Sequence, residues 1–393
     1  VLAFVCCLGL FYNPELAAPT SVNINPADIA WMLTASGLVL LMTPGLSFFY
    51  GGMVSKKNII STMLQSFVTL GVITVLYVCF GFSLCFGESF HGLIGNPLSF
   101  FMFKGVDLNT HPTLSPGIPF LLFAIFQLKF AIITPALITG SFAERVNFNA
   151  YLLFICLFSI FIYAPLAHWT WHPEGFLHKW GVLDFAGGTV VHMSAGYAAL
   201  AGAIILGSRK SFQDQQHVEP ANIPFVILGT GMLWFGWFGF NAGSSLKTNT
   251  TAVLAFATTV VASAAAMMAW IFFDAIRGKK VSAMGACIGA VVGLVAITPA
   301  AGFVTIPHAL FIGFAASIIS NLAVKAKDKY HLDDTLDVFP CHGLGGIVGM
   351  ILTGVFAKDV GLFYGHTTTF LYHLLGLLIV SVYTFGGSYI LYK

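Results

Sequence analysis

The chain has 393 residues, of which 58% are hydrophobic and 8% charged, against about a quarter charged in a soluble domain. A formal net charge of +2 without a basic stripe argues against nucleic acid as a partner. Seven cysteines at no metal-ligand spacing, most in apolar runs, read as small packing residues and not as a disulfide framework.

In chain order, Val1 to Phe11 is a short apolar stretch containing Cys6-Cys7. It resembles a signal-segment core but lacks a basic start and an initiating methionine, so residues 1–25 read as a processed or truncated leader or extracytoplasmic segment. From Pro26 onward, apolar runs of about 20 residues recur, each long enough to cross a bilayer as a helix. They fall at about 28–52, 58–87, 116–141, 149–170, 185–207, 222–244, 249–274, 282–299, 303–324, 335–357 and 365–391. Runs this long are not barrel strands, and only helices or closed barrels satisfy the backbone in lipid. The expected fold is an all-α polytopic membrane domain of eleven helices over residues 26–393. The longest segment between runs, about 88–115, and a second from His172 to Gly181 are too short to be separate domains.

Basic residues set the orientation. With the first helix entering from outside, the inner loops and end hold Lys56, Lys57, Arg145, Arg209, Lys210, Arg277, Lys279, Lys280, Lys325, Lys327, Lys329 and Lys393; the outer loops hold Lys104, Lys179, Lys247 and Lys358. Twelve against four predicts a cytoplasmic-membrane protein with its N-terminus outside and Lys393 in the cytoplasm. Of the basic residues, only Lys129 remains inside a helix.

Weak echoes recur five helices apart. Phe48-Phe-Tyr-Gly-Gly52 of helix 1 pairs with Phe238-Gly-Phe-Asn-Ala-Gly243 of helix 6, and Ala131-Ile-Ile-Thr-Pro-Ala136 with Ala296-Ile-Thr-Pro-Ala300. Asp184 to His192 opens helix 5 as Asp337 to His342 opens helix 10. Five is odd, so the halves are expected as an inverted 5+5 repeat with a long eleventh helix left over.

Ionisable groups in hydrocarbon are costly and mark substrate or proton paths. A lone intramembrane histidine is most simply a hydrogen-bonded core residue; two at equivalent points of an inverted repeat point to one shared pore. Side by side in a dry pore, His192 and His342 would share protons, because burial and the first proton both oppose a second charge. Asp184 and Asp337 read first as helix N-caps. Phe126 and Phe130 are four apart on one helix, Trp237 and Phe240 three apart on another. Such a set of π-faces near a hydroxyl suits a small cation that sheds water, whereas Trp169 and Trp180 read as interfacial anchors. His168 and His172 have an i, i+4 metal-ligand spacing but no His-Glu-x-x-His element, so no metal, cofactor or enzyme is expected. Gly343 to Gly349 reads as close helix packing and not as a nucleotide loop.

Five stretches taken in order, Pro44-Gly-Leu-Ser-Phe-Phe-Tyr-Gly-Gly, Phe126-Gln-Leu-Lys-Phe-Ala, Asp184-Phe-Ala-Gly-Gly-Thr-Val-Val-His, Gly236-Trp-Phe-Gly-Phe-Asn-Ala-Gly-Ser and Asp337-Val-Phe-Pro-Cys-His-Gly, resemble the ammonium transporter (Amt/Mep/Rh) family from Pro26 to Lys393. The resemblance implies an outer ammonium recruitment site of Phe126, Phe130, Trp171 and Ser244 and a gate of Phe130 and Phe240. It further implies a twin-histidine pore of His192 and His342, with Asp184 and Trp237 in support. It implies a homotrimer in membrane lipid, with one pore per subunit.

One feature departs from the family. Lys129 stands beside the gate residue, where an uncharged residue is usual. Toward the pore it would repel an arriving cation and block conduction; snorkelling to the outer interface or a neighbouring subunit, it would do neither. The sequence stops at Lys393, at the inner end of helix 11; the resemblance implies beyond that point either the cytoplasmic tail that binds a regulatory PII protein in many relatives or a different cytoplasmic domain. Two functions therefore compete: an ammonium pore, and a non-conducting ammonium sensor that signals to a cytoplasmic domain after residue 393.

Overall fold

A computed structural model describes residues 7–9, 24–214 and 219–393; apart from residues 7–9, 24 and 25, the expected leader segment lies outside them. Eleven helices follow the apolar runs. They are α1 (Pro26–Met53), α2 (Ile59–Leu76, continued by a π-turn and Phe82–Phe86) and α3 (Phe120–Phe142). Next come α4 (Phe148–Phe158, a π-turn and Ala164–Trp171), α5 (a π-turn at Gly188–Met193, then Ser194–Leu206) and α6 (Ile223–Gly243). The rest are α7 (Thr250–Ile276), α8 (Ala283–Ile297), α9 (Ile306–Lys329), α10 (a π-turn at Phe339–Gly343, then Leu344–Phe356) and α11 (Thr367–Tyr392). Ten of these are long and apolar enough to span a membrane, and α8 has 15 residues.

Local chemistry explains where helices start. Asn25, Asn147, Asn222, Asn249 and Ser282 each cap a helix by accepting a backbone N–H two or three residues on, worth about 1 kcal/mol apiece. Four expected helices shift. α9 runs to Lys329 instead of ending near 324, so Lys325, Lys327 and Lys329 lie in its last turns and not in a loop, and Lys129 is not the only basic residue inside a helix. The chain before α3 is a strand up to Pro119. Gly187, at φ +122°, delays α5 to Gly188. Asp337, at φ +58°, delays α10 to Phe339.

The helices of each half pack in the same pattern. In the first half α1 meets α2 and α3, α2 meets α3, and α3 meets α5; in the second α6 meets α7 and α8, α7 meets α8, and α8 meets α10. The halves are joined by the long contact of α1 with α6 and by α5 crossing α10. That crossing needs glycine: a Cβ on Gly196 of α5 would stand 2.2 Å from Gly343 Cα of α10. Small residues let helix backbones approach this closely.

The two ends of the bundle differ. One carries two antiparallel hairpins, β1 (Ser89–Phe90) with β2 (Ile94–Gly95) and β3 (Thr110–His111) with β4 (Ser115–Pro119). His168 and Trp169 of α4 anchor the first hairpin by hydrogen bonds to Ser89 Oγ at 2.8 Å and Leu93 O at 2.7 Å. Trp169 is thus buried, correcting its expected place at a lipid interface. At the opposite, basic end, Arg145, Arg209, Glu144 and Asp333 tie the loops together.

Candidate functional site

A cavity of about 320 Å³ opens at the hairpin end, lined among others by Phe123, Gln127 and Phe130 of α3, Trp171 of α4, and Ser244 just past α6. The spacing of Phe123, Gln127 and Phe130 is one helical stripe. Phe126 is not among the lining residues. Its buried ring packs edge-on to Phe130 at 5.0 Å, and its far edge would meet a Cβ added at Gly243. Trp171 lies 5.5 Å from Phe130 at 80°, and its Nε1–H donates to Asp184 O at 3.1 Å. Ser244 Oγ donates to Phe240 O at 2.8 Å, leaving its lone pairs available to a donor.

Behind the cavity, Phe130 and Phe240 overlap at 4.3 Å between centroids, both buried. Beyond them His192 lies 6.0 Å from Phe240, stacks on Trp237 at 5.3 Å and 15°, and meets His342 with Nδ1 to Nδ1 at 3.4 Å. Both histidines sit in π-turns, at the start of α5 and of α10. Such turns cluster at functional sites because the extra residue re-aims a side chain.

Hydrogen-bond accounting assigns the tautomers. Thr298 Oγ1 donates its single hydrogen to Leu294 O at 2.8 Å and accepts from Trp237 Nε1 at 2.9 Å. Its remaining contact, His192 Nε2 at 3.3 Å, must therefore be a donor. His192 Nδ1 is then the acceptor and His342 Nδ1–H the donor across the pair. His342 Nε2 keeps a lone pair that no donor among the described residues engages. Thr298 is the residue that sequence reasoning missed; its only signal was the Ile-Thr-Pro echo between helices 3 and 8.

The two expected acid caps fare differently. Asp184 accepts from Gly187 N at 2.8 Å, Gly188 N at 2.6 Å, Thr189 N at 2.7 Å and Thr189 Oγ1 at 2.5 Å. It holds the start of α5 and reaches Trp171 through its backbone oxygen. Asp337 pairs with Lys327 at 2.5 Å. The cap of α10 is Asp334, whose Oδ2 accepts from Phe339 N at 2.7 Å. Each capping acid stands eight residues before its histidine, so Asp334 and not Asp337 is the counterpart of Asp184.

Lys129 shares the half-exposed stripe of Leu121 and Ile125 on α3 and is not among the cavity's lining residues. His168 and His172 stack at 4.3 Å, but both nitrogens of His168 are engaged, with Cys85 O and Ser89 Oγ. No group of three metal-ligating side chains occurs among the described residues.

The membrane-length helices and the buried imidazole pair where the two halves cross define a multi-pass α-helical membrane protein with a polar centre. The sequence model of the Ammonium Transporter Family matches residues 30–393. An ammonium transporter of Aquifex aeolicus is 46% identical over 377 residues, covering 94% of this chain and 87% of its own. One of Bacillus subtilis is 42% identical over 374 residues, covering 93% and 91%. Saccharomyces cerevisiae Mep2 superposes with a TM-score of 0.88 at 34% identity, covering 94% and 85%; a solved sensor Amt protein does so with 0.86 at 30%, covering 93% and 91%. The chain belongs to the ammonium transporter family, a family of transporters and not of enzymes.

Proposed function

We propose that this chain carries ammonium across the cytoplasmic membrane, with the hairpin end outside and the basic end in the cytoplasm. The observation that carries the reading is a single column: cavity, closed phenylalanine pair, imidazole pair. In the cavity, the faces of Phe130 and Trp171 and the lone pairs of Ser244 receive a small cation with N–H donors, with Phe126 backing Phe130. The Phe130–Phe240 pair leaves no room for a hydrated ion, so the solute passes only as the rings swing apart and its water is left behind. Beyond it, the shared Nδ1 hydrogen bond and the lone pair on His342 Nε2 give ammonia a donor and acceptor path, and give a proton a place to rest. Asp184 and Trp237 position this column without touching the solute. The positive-inside rule supports the orientation, and the family supports a homotrimer.

The test is ammonium-evoked current from purified protein on a solid-supported membrane, beside an ammonium binding titration. The expected result is a saturable current lost in His192→Ala and in Phe130→Ala. Saturable binding without current would overturn transport in favour of the sensor reading, which the likeness to a sensor Amt protein keeps in play. In that reading the signal passes to a cytoplasmic domain or a PII-type regulator. Lys129→Thr separates the two: it leaves the current of a transporter nearly unchanged, because Lys129 stands off the cavity stripe, and it opens a pore that Lys129 had blocked.

A further inference from the structure

The run from Val182 to Phe185 carries the acid that caps α5 and the carbonyl that holds Trp171, yet it lies outside every helix. Its place depends on what its own N–H groups meet. Val182 N–H donates to Leu177 O at 3.0 Å and Phe185 N–H to Pro299 O at 3.1 Å. Between them, Leu183 N–H donates to a side chain, Nε2 of His373 on α11, at 2.9 Å. The other nitrogen of that ring, Nδ1, meets Met350 O of α10 at 2.8 Å. A carbonyl only accepts and a main-chain N–H only donates, so Nδ1 carries the hydrogen and Nε2 the lone pair. His373 is fully buried, and Gly354 of α10 leaves room for it: a Cβ there would stand 3.1 Å from His373 Cγ. One imidazole thus ties α10 and α11 to the backbone directly before Asp184, with both of its nitrogens engaged.

We propose that His373 is a positioning residue for ammonium capture: through Leu183 N–H it holds the backbone where Asp184 O reaches the Trp171 indole. The inference rests on the reading of the cavity as the ammonium recruitment site. His373 touches neither the cavity nor the imidazole pair; it acts through Leu183, Asp184 and Trp171 in turn. Without an acceptor at Nε2, Leu183 N–H has no partner in the fold, which is costly. The backbone then turns to find one and carries Asp184 O away from Trp171. A wall ring displaced by a fraction of an ångström loses its best contact with a bound cation. The Asp184 carboxylate keeps its four bonds at the start of α5, so the gate and the imidazoles behind it stay in place. Capture is therefore weakened more than passage.

Two amide side chains separate the two bonds of the ring. Asparagine sets its NH2 near the place of Nδ1, keeping the bond to Met350 O and losing that to Leu183 N. Glutamine sets its carbonyl near the place of Nε2, keeping Leu183 N and losing Met350 O. The experiment measures half-saturating ammonium concentration and maximal current on a solid-supported membrane, with melting temperatures, for wild type, His373→Asn and His373→Gln. His373→Asn is expected to raise the half-saturating concentration about five- to tenfold, the scale of one lost hydrogen bond, with a much smaller loss of maximal current. His373→Gln is expected to restore wild-type half-saturation, although it too lacks one hydrogen bond and melts at a lowered temperature. In a Trp171→Leu background, His373→Asn is expected to add little further, since both act on one contact. Equal half-saturation in the two variants, or an undiminished effect without Trp171, would overturn the positioning role and leave the cavity reading standing. Absence of saturable ammonium binding and current in wild type would instead overturn the cavity reading, and this inference with it. If His373→Asn fails to fold, His373→Gln decides: wild-type half-saturation in spite of the lower melting temperature upholds the proposal, and a raised value overturns it.

Discussion

The Thr298 hydroxyl meets Leu294 O, the Trp237 indole and His192 Nε2 within 3.3 Å, and so fixes which nitrogen of each histidine carries a proton. Replacing it with valine keeps the shape and strands two buried N–H groups, each at about 1–3 kcal/mol. Thr298→Val is expected to cut ammonium current about tenfold and to lower the melting temperature, with Thr298→Ser restoring both; unchanged current would show that the tautomers are set elsewhere. Asp184 is a second such residue. Its carboxylate accepts four hydrogen bonds, whereas an asparagine has one acceptor oxygen, so Asp184→Asn is expected to cost roughly 2–4 kcal/mol, read as a lower melting temperature and lost current. His192 and His342 stood out in the chain because ionisable residues are uncommon in apolar runs; Trp171 and Phe130, among 7 tryptophans and 39 phenylalanines, were singled out through the family resemblance. Thr298 was not, since an intramembrane hydroxyl most often returns to its own i−4 carbonyl. Thr298 does that as well, and only the fold adds its other two partners.

At the scale of the element, the π-turns and the glycine crossing bring the two imidazoles together. Gly196 and Gly343 let α5 and α10 touch backbone to backbone, immediately below the two histidines. A methyl there meets main chain, which cannot step aside, so Gly196→Ala is expected to cost at least 1–3 kcal/mol and to abolish current by parting the pair. Gly231→Ala, in α6 with nothing within 4 Å of the added carbon, is expected to be neutral or slightly stabilising. Equal melting curves for the two variants would refute the crossing argument. The existence of these helices was readable from uninterrupted apolar length. Their facing was not: a helix apolar all round has no periodic stripe to point inward, which left the direction of Lys129 open. The slipped pairing of Asp337 with His342 has a similar cause. Asp334 and Asp337 both precede the same histidine, and only the backbone turn at Asp337 shows which of them reaches the helix start.

For the whole molecule, the loops counted for orientation also form a clamp between the repeats. Arg209, in the linker between halves, donates to Glu144 at 3.1 Å and Asp333 at 2.9 Å, and Arg145 reaches Ser141 O, Gly207 O and Asp333 O. Glu144 also accepts from Ser55 N at 3.0 Å and Ser55 Oγ at 2.6 Å. Charge counting read the side of the membrane from these residues but carried no information on their pairing. Glu144 of the clamp and Asp334, the cap of α10 next to clamp residue Asp333, oppose each other in pH. Burial alone would raise the Glu144 carboxyl, but hydrogen bonds from Ser55 and Asn58 and the Arg209 charge hold it below its ordinary value. Its contribution is therefore present above that ordinary value and fades as the pH falls through the lowered one. Burial lifts Asp334 from 3.8 to about 6, against the pull of Lys327 and with the push of Asp337; that gap corresponds to about 3 kcal/mol. Its contribution is present below the ordinary value and fades as the pH rises through about 6. Melting temperature is therefore expected to climb as the pH is lowered from 7 toward about 5, then to drop once Glu144 takes up its proton. Asp334→Asn, which keeps an acceptor for Phe339 N, is expected to flatten the upper limb and leave the acid drop in place. An unchanged upper limb in that variant would make some group other than Asp334 the titrating one, and loss of both limbs would mean that the charge of Asp334 also supports the neighbouring clamp.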